Sequence, residues 1–142
     1  MKITAYKIAQ RFIGMKEVSG TVDNPQILAM LKLDADWPEH DEVPWCSAFV
    51  NYVAWILSLP RSKSLMARSW ETVGIPIPWA VARPAWDVVI LSRSGNPELG
   101  HVGFYANIIR NEVYVLGGNQ DNAVSVESYS ADRIVDIRRL IV

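Results

Sequence analysis

The stretch Pro44-Trp45-Cys46-Ser47-Ala48-Phe49-Val50-Asn51-Tyr52 decides how the rest of the chain is read. It holds the only cysteine in 142 residues. An apolar helical pattern begins at that cysteine and runs to about Leu57, with Cys46, Phe49, Val50, Val53, Ala54 and Leu57 on one face. Pro60 is expected to end this helix. A cysteine at the mouth of a helix has two readings. Free Cys is among the most buried residue types, so it can be a small core residue. A helix N-terminus also carries unpaired N–H groups and a partial positive charge, both of which favour a nucleophilic thiolate. Taken alone, the cysteine favours the first reading, and the rest of the chain has to decide.

Upstream, residues 4–13 are predicted as a helix, with Ala5, Ile8, Ala9, Phe12 and Ile13 on one face and Gly14 as its stop. A polar loop follows. Asp23 or Asn24 can cap a short helix, Gln26–Leu31, with Pro25 at its first position and Ile27, Leu28 and Leu31 turned inward. Residues 34–44 form an acidic loop with Trp37 and His40, a solvated segment that is also a candidate wall for a cleft beside Cys46.

Downstream, Ser64 is expected to cap a helix over Leu65–Val73, with Gly74 as stop. Ile75-Pro76-Ile77-Pro78 must be extended, because two prolines remove donors. After Pro84 the period becomes strand-like. Strands are predicted at 87–92, 101–109, 112–116, 123–128 and 134–140. Turns fall at 94–97 and at Arg110-Asn111, and Gly117–Asn122 reads as a glycine-rich break. Helices followed by adjacent strands mean an α+β fold: N-terminal helices packed on a meandering antiparallel sheet of about five strands. The length fits one domain over residues 1–142.

Half the residues are hydrophobic and 20% are charged, the mix of a globular chain. The net charge of −1, from 14 basic and 15 acidic residues, argues against a nucleic-acid binder. A single cysteine excludes an intramolecular disulfide and a cysteine-based zinc site, and two histidines, His40 and His101, leave little for another metal. No apolar run approaches the roughly 18 residues of a membrane span. Met1-Lys2-Ile3-Thr4 leads into an amphipathic pattern and not a signal-peptide core, so the protein is expected to be made in the cytoplasm and delivered by another route if it acts outside.

A cysteine nucleophile needs a base, and the base an orienting group. His101 lies in Gly100-His101-Val102-Gly103-Phe104-Tyr105 at the start of a strand. Its plain reading is a surface histidine. Gly103, two residues on, would leave room on the face His101 uses, and a helix packed over that face would bring Cys46 to the imidazole. With a hairpin turning at 110–111, facing residues sum to about 221. His101 then stands opposite Gln120, with Asn119 one step off, and a bulge at Gly117-Gly118 would bring either amide to the ring. The plain reading of Asn119 is turn geometry alone.

Three segments, Pro44–Val50, Gly100–Phe104 and Leu116-Gly117-Gly118-Asn119-Gln120, together resemble the motifs of the NlpC/P60–CHAP superfamily. More narrowly they resemble small phage and prophage cell-wall hydrolases (endolysins). Ile13-Gly14, Glu17, Gly20, Asp23-Asn24-Pro25, Ala67-Arg68-Ser69-Trp70, Gly74 and Ile137-Arg138-Arg139 fit that subgroup too. The resemblance implies a papain-like fold and bacteriolytic hydrolysis of peptidoglycan, as a cysteine endopeptidase or an N-acetylmuramoyl-L-alanine amidase. Neither a cofactor nor a metal is implied, and the expected partner is the cell wall, met by a monomer after holin-type release or another delivery. By matching position, Cys46 is the nucleophile, His101 the general base and Asn119 the orienting residue, with Gln120, Ser47 and Trp45 in support. Two departures stand out. Gly117 replaces a glutamate common in CHAP enzymes, and Trp86-Asp87 replaces Gly-Asp. A second donor beside the Cys46 N–H is expected for the oxyanion, from Ser47 or the preceding loop. Trp37, Trp45, Trp70 and Trp79 are divided between core and groove, at least two of them core. Another acyl-transfer enzyme, an injected antibacterial effector or a non-catalytic wall-binding module on the same fold are the alternatives.

Overall fold

The structure, a computed structural model, describes residues 2–17, 24–33 and 45–141. The predicted acidic loop with Trp37 and His40, and the alternative cap Asp23, lie outside the described residues. Three α-helices come first: α1 (Ala5–Gln10), α2 (Pro25–Lys32) and α3 (Cys46–Ile56). Six strands follow: β1 (Ile75–Pro76), β2 (Asp87–Arg93), β3 (Asn96–Ile109), β4 (Glu112–Gln120), β5 (Ala123–Ser130) and β6 (Ile134–Arg139). They form one antiparallel sheet in the order β1-β6-β2-β3-β4-β5. The predicted meander is β2 to β5. The predicted fifth strand, β6, crosses back to pair with β2 instead of continuing the meander, and the sixth strand is the two-residue β1, which adds to the edge beside β6. Pro76 is tolerated there because an edge strand can spare a donor.

Local chemistry explains the helix ends. Asn24 caps α2 by accepting from the N–H groups of Gln26 and Ile27, and Pro25 occupies the first turn. Inside α2 the buried residues are Ile27, Met30 and Leu31, and Leu28 is only partly covered. The α3 helix stops at Ile56, short of Pro60, because Ser58 turns left-handed (φ 55°) and the Leu59 N–H folds back to the Ala54 carbonyl.

The two sheet faces carry separate cores. Val88, Ile90, Val102, Phe104, Leu116 and Val124 meet the helices, while Val89, Leu91, Tyr105, Val113, Val115 and Ile137 pack on the other side. Phe49 from α3 meets Phe104 edge-on at 6.1 Å and Phe12 at 5.9 Å. Phe49, Val50 and Val53 are fully buried. Each such side chain contributes about 1.5–3 kcal/mol by leaving water, so α3 is held to the sheet by its apolar face. At the far end of β2, Asp87 is buried and bonded by Arg139 at 2.8 and 3.0 Å and by the Arg83 N–H at 2.9 Å.

Five expectations need correction. The first helix ends at Gln10, which leaves Ile13 50% exposed, and β3 begins at Asn96, inside the predicted turn at 94–97. The helix over Leu65–Val73 is only a 3-10 turn at Ala67–Thr72, and Met66 is 53% exposed. The Ser64 carbonyl, which an α-helix would give to residue 68, is taken instead by Ser47 Oγ at 2.6 Å and Asn51 Nδ2 at 3.2 Å. The break at Gly117–Asn122 is also absent, because β4 runs to Gln120 and turns through Asp121 and Asn122, both at positive φ. Its glycines serve close approach: a Cβ on Gly118 would stand 2.6 Å from the Trp45 ring and 2.9 Å from Phe49 Cβ. Finally, the strand alternation breaks at Ala106. Tyr105 pairs with Val115 and Asn107 with Tyr114, so Ala106 is an extra residue, and Ile108 packs on the second core.

Candidate active site

Cys46 is the first residue of α3, 5% exposed, at the bottom of a cleft of about 350 Å³. His101, Asn119, Tyr129, Arg93 and Arg133 line the same cleft. The thiol arrives there because the first turn of α3 is clamped from behind. Ser47 Oγ donates to the Ser64 carbonyl and accepts from Trp70 Nε1 at 2.9 Å. The fully buried Asn51 Nδ2 lies 3.1 Å from the Ser47 carbonyl and 3.2 Å from Ser62 Oγ, while Asn51 Oδ1 accepts from the Lys63 N–H at 3.0 Å. Trp45, fully buried, donates its Nε1–H to Glu17 at 2.8 Å. Ser47 and Trp45 therefore position the cysteine, and the Ser47 hydroxyl is occupied away from the cleft.

The imidazole enters the cleft that Cys46 lines by a different route from the one expected. His101, Gly103 and Tyr105 alternate with Val102 and Phe104, which are the residues packed toward α3. A Cβ on Gly103 would strike Val115 Cγ1 at 2.4 Å, in the second core. Gly103 thus makes room for the neighbouring strand, and His101 belongs to the sheet face away from the helix. Cys46 comes to the cleft beside the middle of β3, close enough for the Val102 N–H to favour its thiolate.

The amide that meets the imidazole is Gln120, with His101 Nε2 and Gln120 Oε1 2.9 Å apart. Asn119, expected in that role, lines the cleft instead. Its backbone is left-handed (φ 58°), and the β4–β5 register shifts between Gly117 and Gln120. This bulge turns Gln120 under the ring. The side chain is otherwise buried and committed: Nε2 donates to the carbonyls of Val115 (3.1 Å) and Ser125 (2.7 Å). Those bonds fix the amide orientation, so Oε1 is an acceptor and His101 Nε2 carries the hydrogen. In the neutral ring Nδ1 is then the free base. Tyr129 completes the support. Its hydroxyl donates to the same Oε1 at 3.1 Å, and its ring lies 5.3 Å from the imidazole. Burial pushes the Tyr129 phenol up to about 12, which keeps that donor protonated.

Electrostatics set the resting state. Burial pushes the Cys46 thiol up. The N–H groups of Val102, Ser47 and Cys46 itself, and the charge of Arg93, pull the other way. Burial likewise lowers His101, opposed by the Gln120 bond and reinforced by Arg133 and Arg93, to about 4. The two rest as a neutral thiol and a neutral imidazole, and the cleft holds both a sulfur nucleophile and a proton acceptor.

Sequence reasoning missed Tyr129, Arg93 and Arg133. The alternation of Ser125, Glu127 and Tyr129 against Val124 and Val126 carries a signal for the first. The arginines sit at strand ends and show only once strands are assembled. Of the four tryptophans considered, Trp45 and Trp70 are core, Trp79 is 43% exposed and Trp37 lies outside the described residues.

Neither family models nor curated proteins give a match by sequence. Solved structures do. NlpC1 from Trichomonas vaginalis superposes with a TM-score of 0.57 at 18% identity, over 96% of this chain and 42% of its own. A protein of Staphylococcus aureus subsp. aureus Mu50, described as similar to lipoprotein, NLP/P60 family, gives 0.57 at 19% identity, over 98% and 41%. NlpC2 from Trichomonas vaginalis gives 0.57 at 16%, over 96% and 44%. The chain spans less than half the length of these structures. It has the α+β, papain-like fold of NlpC/P60 proteins.

Proposed function

We propose that the protein is a cysteine hydrolase of peptidoglycan that cleaves an amide or peptide bond in the stem peptide, in the manner of an endolysin. One observation carries the reading: a buried, clamped thiol and an imidazole with its Nδ1 left free open onto one cleft. Cys46 Sγ attacks the scissile carbonyl carbon as its proton passes to His101 Nδ1, since burial disfavours a standing thiolate. The Cys46 backbone N–H faces the developing oxyanion, and the Ser47 hydroxyl does not take part because it is bonded to Ser64 and Trp70. The carbon–nitrogen bond then breaks as the imidazolium gives its proton to the leaving amine. Water attacks the thioester, its proton moves to Nδ1, and the acid and the free thiol are released. Gln120 takes the orienting role that motif matching gives to Asn119.

Zymography on purified walls tests the reading. Cys46→Ala and His101→Ala are expected to abolish clearing, and either variant clearing as fast as the parent would overturn it. Mass spectrometry of the products then assigns the bond. New amino termini mark an endopeptidase, and free glycan with intact stem peptides marks an amidase.

A further inference from the structure

The cleft holds more positive charge than the chemistry above requires. Arg93, at the end of β2, and Arg133, just before β6, both line it beside Cys46. Among the described residues no carboxylate lines that cleft, and neither guanidinium has a carboxylate partner. Arg133 is held in place: its Nε donates to the Ser92 carbonyl at 3.0 Å, and its guanidinium carbon lies 5.1 Å from the centre of the Tyr129 ring. That bond ties it to the residue next to Arg93 and leaves its terminal N–H groups unspent. Arg93 is exposed at its side of the cleft. Both charges also reach the imidazole, which they hold toward its neutral form. The opposite side of Cys46 differs. A second groove shares Cys46, Arg93 and Gly100 and is walled by Leu65, Met66 and Leu99, with Glu98 as its one carboxylate among the described residues.

Two like charges on the wall of one cleft, neither ion-paired among the described residues, repel each other, and Arg matches a carboxylate through paired N–H groups. Resting on the hydrolase reading above, we propose that Arg93 and Arg133 bind a carboxylate of the substrate next to the scissile bond. Stem peptides that carry this carboxylate free are then preferred to amidated ones. Both arginines act on binding, so their loss raises KM more than it lowers kcat.

Because Cys46 is the only thiol, its alkylation reads the field in the cleft without any hydrolysis. The rates with iodoacetate and iodoacetamide are measured for the parent and for R93Q, R133Q and the double variant. The iodoacetate-to-iodoacetamide ratio should fall about fivefold or more in the double variant. It should be largely kept by the R93K/R133K pair, and 0.5 M salt should erode it in the parent, because charge attraction is screened. Matching circular dichroism spectra establish that the variants fold. An unchanged ratio in the folded double variant overturns the proposal. A second arm compares KM on wall fragments with a free or amidated carboxylate. Equal KM for the two in the parent also overturns it. A parent that shows the alkylation preference but releases nothing from walls refutes the hydrolase reading and leaves the anion site standing.

Discussion

Cys46 stands between two polar clusters. Behind it, Ser47, Asn51, Ser62, Ser64 and Trp70 bond one another and nearby backbone, with Asn51 making contacts at 3.0 to 3.3 Å. Ahead of it, His101, Gln120 and Tyr129 share a single amide oxygen. The rear cluster closes on itself, and through Ser47 and Asn51 it ties the first two turns of α3 to residues 62–64 and Trp70. The front cluster leaves one ring nitrogen without work inside the protein. Both contain the same kinds of groups, mostly amides and hydroxyls. Residue type therefore does not separate scaffold from chemistry here. What separates them is whether the hydrogen bonding is completed internally.

The sharpest way to break this contrast is Asn51→Leu. It strands the Lys63 N–H and removes the bonds to Ser47 and Ser62, so unfolding in urea should show a loss of about 4 kcal/mol. The folded fraction should keep kcat within a few-fold. A hundredfold fall in kcat would make the rear cluster part of the chemistry.

Next in size is a pH effect confined to the front cluster. His101 is lowered to about 4, while an unfolded histidine titrates near 6.5. Between these values the unfolded chain binds more protons than the folded one. Stability is therefore complete above pH 6.5 and falls as the pH drops toward 4, by at most about 3 kcal/mol. Melting curves at pH 7.5 and 4.5 should show this loss in the parent and a smaller one in His101→Gln. Equal losses would remove His101 as its source.

Gln120→Ala should lower kcat about a hundredfold, or about 2.7 kcal/mol of barrier, because the imidazole loses both its orientation and the bond that fixes its tautomer. Asn119→Ala should change kcat less than threefold. If Asn119→Ala causes the larger loss, the imidazole is oriented by Asn119 during turnover.

The sequence carried the apolar pattern of α3, the strand runs of β2 and β3 and the cap at Asn24, because each depends on neighbours within a few residues. The Leu65–Val73 segment misled because its outcome depends on Ser64, whose carbonyl is claimed by a helix 13 to 17 residues earlier in the chain. That Cys46 and His101 line one cleft was legible. The face on which His101 lies was not, since Gly103 answers to Val115 across the sheet. Hairpin arithmetic pointed to Gln120 and motif matching to Asn119. The extra residue at Ala106 shifts the register toward Asn119. A second near Asn119 offsets it and brings Gln120 to the ring, and neither is marked by a residue type peculiar to bulges.

Those two bulges separate address from location. The amide under the imidazole is fixed in space by where the extra residues fall, not by its distance along the chain from a glycine pair. Moving the second bulge by a single residue would hand the imidazole to a neighbouring side chain while leaving every strand in place. A change of the side chain that meets this imidazole thus needs no substitution, only a shift of phase in the backbone.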